Sequence, residues 1–487
     1  MSSLEKKQQG HAQNLSEQLI DNGANGFQLL ELSFGAIASL TNTSTSNDVS
    51  PKTMNLEGKK GTVLENHAIV RGPYLQQGTE SSTIIRWATS APVQGKVWYG
   101  TEPDKLTLTL GETTTTCDHK VQLSGLTPDE KYYYSVGTEA GVEEGGTKDY
   151  FFVTAPSSEL APEQLRPIRI WAVGDSGRAN DVAALVRDGY LKYTGTRHTD
   201  LWLMLGDNAY ETGTLDEYQY AVFDVYSQIL RSSVLWTTIG NHDAGSASSL
   251  LQTGPYYELF TLPSGAEAGG VASGTAAYYS FDYGNIHFIC LDSYGSDRSP
   301  KGAMFTWLAD DATSSDKDWK VAFWHHPPYT KGSHDSDIEI ELVEMRERAL
   351  PILEDAGVDL VLGGHSHSYE RSYLIDGHYG VSDSFTPEMK KNAGSGRESE
   401  SGSYEKRHPA SHQGTVYIVA GTSGLADTVS PHPAMYTSLS IPGSLVLDVE
   451  GHRLDVKFID DRGEVKDYFT LNKTTISDAK PNFQAEN

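Results

Sequence analysis

The sequence predicts a small all-β sandwich followed by a larger α/β unit. Three observations carry this. The chain has 487 residues, enough for two or three compact units at roughly 150 residues each. Between 67 and 156, short alternating runs (TIIRWAT, GKVWYG, HKVQLSG, KYYYSVG, KDYFFVT) are separated by Gly, Pro, Asp and Thr, the pattern of antiparallel strands. From 168 onward, apolar runs recur with helical patterns between some of them, and each ends in polar residues: IRIWAV then GDSG, LWLML then GDNAY, VLWTTI then GNHD, VAFW then HHPPY, DLVL then GGHSHSYER. Such alternation lines up the loops along one sheet edge, where α/β sites are built.

Composition narrows the functions. With 38% hydrophobic and 21% charged residues the chain is an ordinary globular one. A net charge of −27 opposes coating of a nucleic-acid backbone. Only Cys117 and Cys290 are present, which excludes a disulfide framework and a four-cysteine zinc site. No uncharged run approaches the roughly 20 residues of a membrane span. The stretch GFQLLELSFGAIASL carries Glu31 and lacks a basic start, so it makes a poor signal peptide.

Taken in order, residues 1–66 are rich in Asn, Ser, Thr, Gln and Gly and read as a largely flexible leader in which only the stretch near 27–40 could pack. In the sandwich of 67–156, Trp87 is the expected core anchor. The segment LTPDEKYYYSV at 126–136 resembles the tyrosine-corner segment of fibronectin type III domains. Residues 157–167 are Pro-rich and polar, a linker. Within the α/β unit of 168–475, Val182, Leu185 and Val186 mark one helix, and the run from Ile338 to Leu353 another. The stretch 376–414 contains GSGRESESGSYEKRHPASHQG and reads as a surface insertion. A final hairpin turns at Gly451 and Gly463, and 476–487 form a tail.

The strand-end residues Asp175, Asp207, Tyr210, Asn241, His325, His365 and His367 are all capable of holding a metal. Carboxylate, amide oxygen and imidazole suit iron, manganese and zinc. Seven donors exceed the needs of one ion, whereas two ions about 3.5 to 4 Å apart, sharing a carboxylate, would use them all and suit displacement at phosphorus. Glycines precede Asp175, Asp207 and Asn241, allowing sharp turns that project these side chains.

GDSG, GDNAY, GNHD, the His of FWHHPPY and GHSH follow the five-block order of the calcineurin-like metallophosphoesterases. Tyr210, three residues after Asp207, resembles the purple acid phosphatases in particular, and the sandwich resembles the N-terminal domain of their larger members. The resemblance spans about residues 67–475 and implies an αββα four-layer catalytic sandwich behind the fibronectin type III-like domain. It implies Fe(III) held by Asp175, Asp207, Tyr210 and His367, and a second divalent metal (Fe, Zn or Mn) held by Asp207, Asn241, His325 and His365, with Asp207 bridging. It implies an acid phosphatase that hydrolyses small-molecule phosphate monoesters by attack of a metal-bound hydroxide. A phosphodiesterase or nucleotide hydrolase on the same scaffold is the alternative within the enzyme class. A surface binding protein with an inactive catalytic domain is the alternative outside it, and the intact ligand set argues against that.

The same resemblance places imidazoles at His242 and His334 against the phosphate or the leaving group. Asp243 is expected to orient His242, and strand alternation to turn His326 away from the site. The first block departs from many relatives at Ser176, which leaves Asp175 unaffected. Glu370 and Arg371 are expected to form a structural ion pair or hold their loop, Cys290 to be a buried free thiol, and His287, His378, His408, His412, His432 and His452 to be core or surface residues outside any motif. Association with the family implies a secreted or periplasmic protein.

Overall fold

The structure is a computed structural model that describes residues 67–475. The expected leader 1–66 and tail 476–487 lie outside the described residues. Two sheets pack face to face, with helices on their outer faces. One has seven strands in the order Tyr279–Tyr283, Ile286–Cys290, Trp319–Phe323, Leu360–Gly363, Val416–Ala420, Tyr369–Ser372 and Met435–Leu439. The other centres on the parallel strands Ile168–Val173, Leu201–Met204 and Val234–Thr237, continued by the antiparallel strands Gly443–Glu450, Arg453–Asp460 and Val465–Thr475. The central parallel strands are buried throughout, which is why they read as unbroken apolar runs.

The core between the sheets is strongly aromatic. Trp236 stacks on Phe281 at 3.7 Å and Tyr369 on Phe458 at 4.0 Å, contacts that add directional attraction to the area they bury. Helix Asp181–Thr194 is started by Asn180, whose side chain accepts the Ala183 N–H, a favourable N-cap. It brings Tyr190 onto Trp171 at 4.4 Å. Helices Ala303–Ser314 and Ile340–Asp355 cover the outer face of the seven-stranded sheet with Leu308, Met345 and Leu350. The helix expected to begin at Ile338 thus starts two residues later.

The sandwich forms as expected. Strands Ile69–Gln76, Ser82–Val93 and Thr116–Ser124 make one sheet; Leu108–Gly111, Gly95–Gly100, Lys131–Thr138 and the flanking Gly141–Gly145 and Phe151–Val153 make the other. Trp87 is fully buried and stacks on His119. The Tyr132 hydroxyl accepts the Thr127 N–H at 3.0 Å, closing the tyrosine corner. The linker is not the sole connection to the catalytic unit. Strand Ile69–Gln76 pairs in parallel with Val234–Thr237 through Leu75 and Val234, making one ten-stranded sheet. Across the same junction Tyr74 and Arg86 both donate to the Leu259 carbonyl, at 2.8 and 2.7 Å.

The insertion departs from expectation. Its strand Tyr404–His408 is the edge strand of the ten-stranded sheet, parallel to Val465–Thr475, and buries Tyr404 and Lys406. The Lys406 ammonium sits 2.6 Å from Asp359 and burial lowers it to about 8. A polar composition hides such burial, because a charged side chain can enter the interior when its partner is already there. Glu370 and Arg371 are both structural but do not pair with each other: adjacent strand residues face opposite ways. Arg371 grips Asp467 at 2.6 and 3.0 Å, while Glu370 accepts from Ser368 at 2.9 Å and from Thr330. Cys290 is a buried free thiol and Cys117 an exposed one. Among the described residues no helix is long and apolar enough to cross a membrane.

Candidate metal centre

Each of the seven candidate ligands leaves a loop at the C-terminal end of a parallel strand or the turn beyond it, and the structure brings all seven to one place. Asp175, Asp207 and His365 have left-handed backbones, with φ of 56°, 51° and 65°, a cost that sites accept to aim a side chain. The glycines allow close approach as well as turning. At Gly206 φ is +90° and a Cβ would fall 2.4 Å from the His325 ring; at Gly240 it would fall 2.2 Å from the Asp207 carboxylate.

The donor atoms divide into two groups that meet at Asp207. The Tyr210 hydroxyl lies 3.1 Å from Asp175 Oδ1, 3.0 Å from Asp207 Oδ2 and 3.5 Å from His367 Nε2. On the other side, His325 Nε2 lies 3.1 Å from Asn241 Oδ1 and 3.3 Å from Asp207 Oδ1. The His365 ring is 5.0 Å from that of His325. Each Asp207 oxygen therefore faces a different donor group, so this carboxylate could serve two ions at once.

The electrostatics are those of a cation site. Burial, reinforced by the charges of Asp175 and Asp207, pushes the Tyr210 phenol far above its ordinary value. Burial raises Asp175 as well. Asp207 is also penalised by burial, but the charge and hydrogen bond of His325, together with the charge and backbone N–H of His242, hold it well below the usual carboxylate range. Burial opposes protonation of His325, yet Asp207 pushes it up to about 9. An anionic oxygen cluster that recruits a histidine's proton is poised to accept metal cations in its place.

A second layer of residues fixes the ligands. His325 Nδ1 donates to the Leu205 carbonyl at 2.9 Å, leaving Nε2 to the site. The His365 N–H donates to Asp175 Oδ2 at 2.7 Å. His367 is held at three points: its N–H donates to Ser333 Oγ at 3.0 Å, its carbonyl accepts the Asp427 N–H at 2.7 Å, and its Nδ1 donates to Asp427 Oδ2 at 2.9 Å. Asp427 thereby selects the tautomer whose Nε2 is free to ligate. Replacing Asp427 by Asn is expected to weaken metal binding about 10- to 100-fold, read by equilibrium dialysis; unchanged affinity would show that Ser333 and the backbone suffice.

His242 and His334 both reach the site. His242 Nδ1 donates to the Glu211 carbonyl at 2.7 Å and Nε2 faces Asp207 Oδ2 at 3.9 Å. The His334 ring packs at a tilt on that of His365, centres 3.7 Å apart, with Nδ1 2.8 Å from Glu339 Oε2. Two expectations are corrected. Asp243 does not orient His242. Its carboxylate turns inward to accept from Gly240 N–H at 2.8 Å, Asn208 Nδ2 at 2.9 Å and the Tyr218 hydroxyl at 2.6 Å, so it ties the GDN loop to the GNHD loop. Burial, with the charge of Asp207, raises it to about 7. His326 does not turn away: the strand ends at Phe323, alternation stops there, and the ring packs 4.3 Å from His365 with Nδ1 2.9 Å from Ser293 Oγ.

Sequence reasoning missed Glu339 and Asp427. Glu339 Oε2 also lies 3.5 Å from His365 Nε2, linking a ligand to His334. Both carboxylates come from loops without a recognisable motif, Asp427 from 60 residues beyond its histidine, so only the fold could reveal them. His378 is fully buried, as one of the two expectations for it allowed.

The calcineurin-like phosphoesterase family pattern matches residues 168–369, and that of the purple acid phosphatase N-terminal domain matches residues 71–154. Purple acid phosphatase 23 of Arabidopsis thaliana is 28% identical over 352 residues, covering 62% of this chain and 74% of that protein. Purple acid phosphatase 15 of the same plant is 30% identical over 284 residues, covering 53% of this chain and 50% of its own length. Among solved structures, a purple acid phosphatase from yellow lupin (Lupinus luteus) seeds superposes with a TM-score of 0.60 at 16% identity, covering 86% of this chain and 78% of that one. This last likeness is one of fold.

Proposed function

We propose that this chain, which belongs to the purple acid phosphatases among the calcineurin-like phosphoesterases, hydrolyses small phosphate monoesters at a pair of metal ions. In this reading Fe(III) is held by Asp175, Asp207, Tyr210 and His367, and divalent Fe, Zn or Mn by Asp207, Asn241, His325 and His365. The observation that supports it is the placement of the Asp207 carboxylate, with Oδ2 3.0 Å from the Tyr210 hydroxyl and Oδ1 3.3 Å from His325 Nε2. The donor set fits these ions. A phenol raised so far by burial and two carboxylates becomes tyrosinate only beside a strongly charged cation, which favours a trivalent one. When bound, such a pair supplies Lewis acidity, lowering the pKa of water and offsetting charge on phosphoryl oxygens.

The protein's own groups do the rest. His242 and His334 flank the donor cluster and are assigned the binding of the phosphoryl oxygens and the protonation of the departing alkoxide. His242 presents Nε2 because Glu211 occupies Nδ1; His334 does the same because Glu339 does. The same reading places the protein outside the cytosol, secreted or periplasmic.

The test is the ratio of kcat/KM for an aryl phosphate monoester to that for the matching diester, with the metal-loaded protein. The reading predicts a clear preference for the monoester. Preference for the diester would replace it with a phosphodiesterase on the same scaffold.

A further inference from the structure

The first motif block is followed by a residue that the ligand set does not use. Arg178 follows GDSG, and two backbone hydrogen bonds fix its place: the Gly177 N–H donates to the Asp207 carbonyl at 3.1 Å, and the Tyr210 N–H to the Gly177 carbonyl at 3.0 Å. The two loops are in contact, since a Cβ on Gly177 would fall 2.4 Å from the backbone of Asn208 and Ala209. This register puts the Arg178 guanidinium carbon 4.5 Å from the centre of the Tyr210 ring. The nearest carboxylate to it, Glu211, is 4.0 Å away and largely exposed. Arg178 Nε is buried and has no hydrogen-bond partner. An arginine that forgoes a partner for a buried donor while lying over an aromatic ring is held there by the ring.

We infer that Arg178 is a positioning residue for the metal centre: its charge over the Tyr210 ring stabilises the electron-rich phenolate and so sets the colour and reduction potential of the iron it ligates. The inference rests on the proposed Fe(III)–tyrosinate pairing. The guanidinium is close to the ring, so it lowers the energy of the ring's donor electrons and the charge-transfer band lies at shorter wavelength than it would without the cation. The same positive charge favours the reduced ion.

The test uses the full-length, metal-loaded protein, with Arg178→Gln and Arg178→Lys beside the wild type. Arg178→Gln should move the visible band to longer wavelength, and Arg178→Lys should place it in between. At a fixed applied potential, the ratio of reduced to oxidised iron in Arg178→Gln should fall about fivefold, the equivalent of roughly one kcal/mol of cation–π attraction. An unmoved band in Arg178→Gln overturns the inference, and a rise in KM alone would mark Arg178 as a phosphate-binding residue instead. Loss of colour in Arg178→Gln with retention in Arg178→Lys supports the need for charge; loss in both overturns it in favour of a purely structural role. A wild type that is colourless after oxidation fails the iron assignment itself, an outcome distinct from all of these.

Discussion

Asp207→Asn should break the two-metal site and cut hydrolysis steeply. The substitution keeps the shape of the side chain but replaces one carboxylate oxygen by an amide nitrogen that cannot ligate. Because Oδ1 faces His325 at 3.3 Å and Oδ2 faces Tyr210 at 3.0 Å, one donor group loses its oxygen whichever way the amide turns, and the other keeps only an uncharged one. The loss also strands His325, whose elevated pKa depends on Asp207 once the opposing cost of burial is met. Bound metals supply several kcal/mol of transition-state stabilisation, so kcat/KM is expected to fall by on the order of 10³-fold or more. Elemental analysis should find fewer than two ions per chain. A variant that keeps two ions and wild-type activity would show that Asp207 is not shared.

His242→Ala should separate catalysis from metal binding. The imidazole packs against Tyr210 with ring centres 4.2 Å apart, but it reaches no closer than 3.9 Å to Asp207, and its Nδ1 is spent on the Glu211 carbonyl. It is therefore placed to transfer a proton rather than to ligate. A general acid typically contributes 10²- to 10⁴-fold, and kcat is expected to fall within about that range while both ions remain. His334→Ala should behave similarly. If the two histidines act as one unit on the leaving group, the double variant will lose less than the product of the single losses. Loss of both metals in His242→Ala would make that residue structural.

The positions of the seven ligands were legible because each follows an apolar run that can only be a buried strand, and sequence order fixes which strand ends share an edge. Trp87 and the tyrosine corner were legible for the same reason: they sit at fixed places in a local pattern. What sequence could not convey was long-range polar pairing. Asp243 follows His242 directly in the chain, yet its buried carboxylate serves Gly240 in its own loop and Asn208 and Tyr218 outside it. Lys406 lies in a polar stretch and is drawn inside by Asp359, 47 residues earlier. The direction of His326 is not set by strand alternation, because its strand ends at Phe323. Polar side chains in the interior are placed by whichever partner the fold delivers, and local composition carries no trace of that partner.

The visible absorption spectrum of the purified, oxidised protein, recorded beside Tyr210→Phe, tests the dinuclear reading most directly. The account predicts a broad tyrosinate-to-Fe(III) band in the wild type that is absent from the variant, with two metals bound per chain. A colourless wild type that contains two metals would contradict it, leaving Tyr210 as a packing residue beside a dinuclear centre without iron.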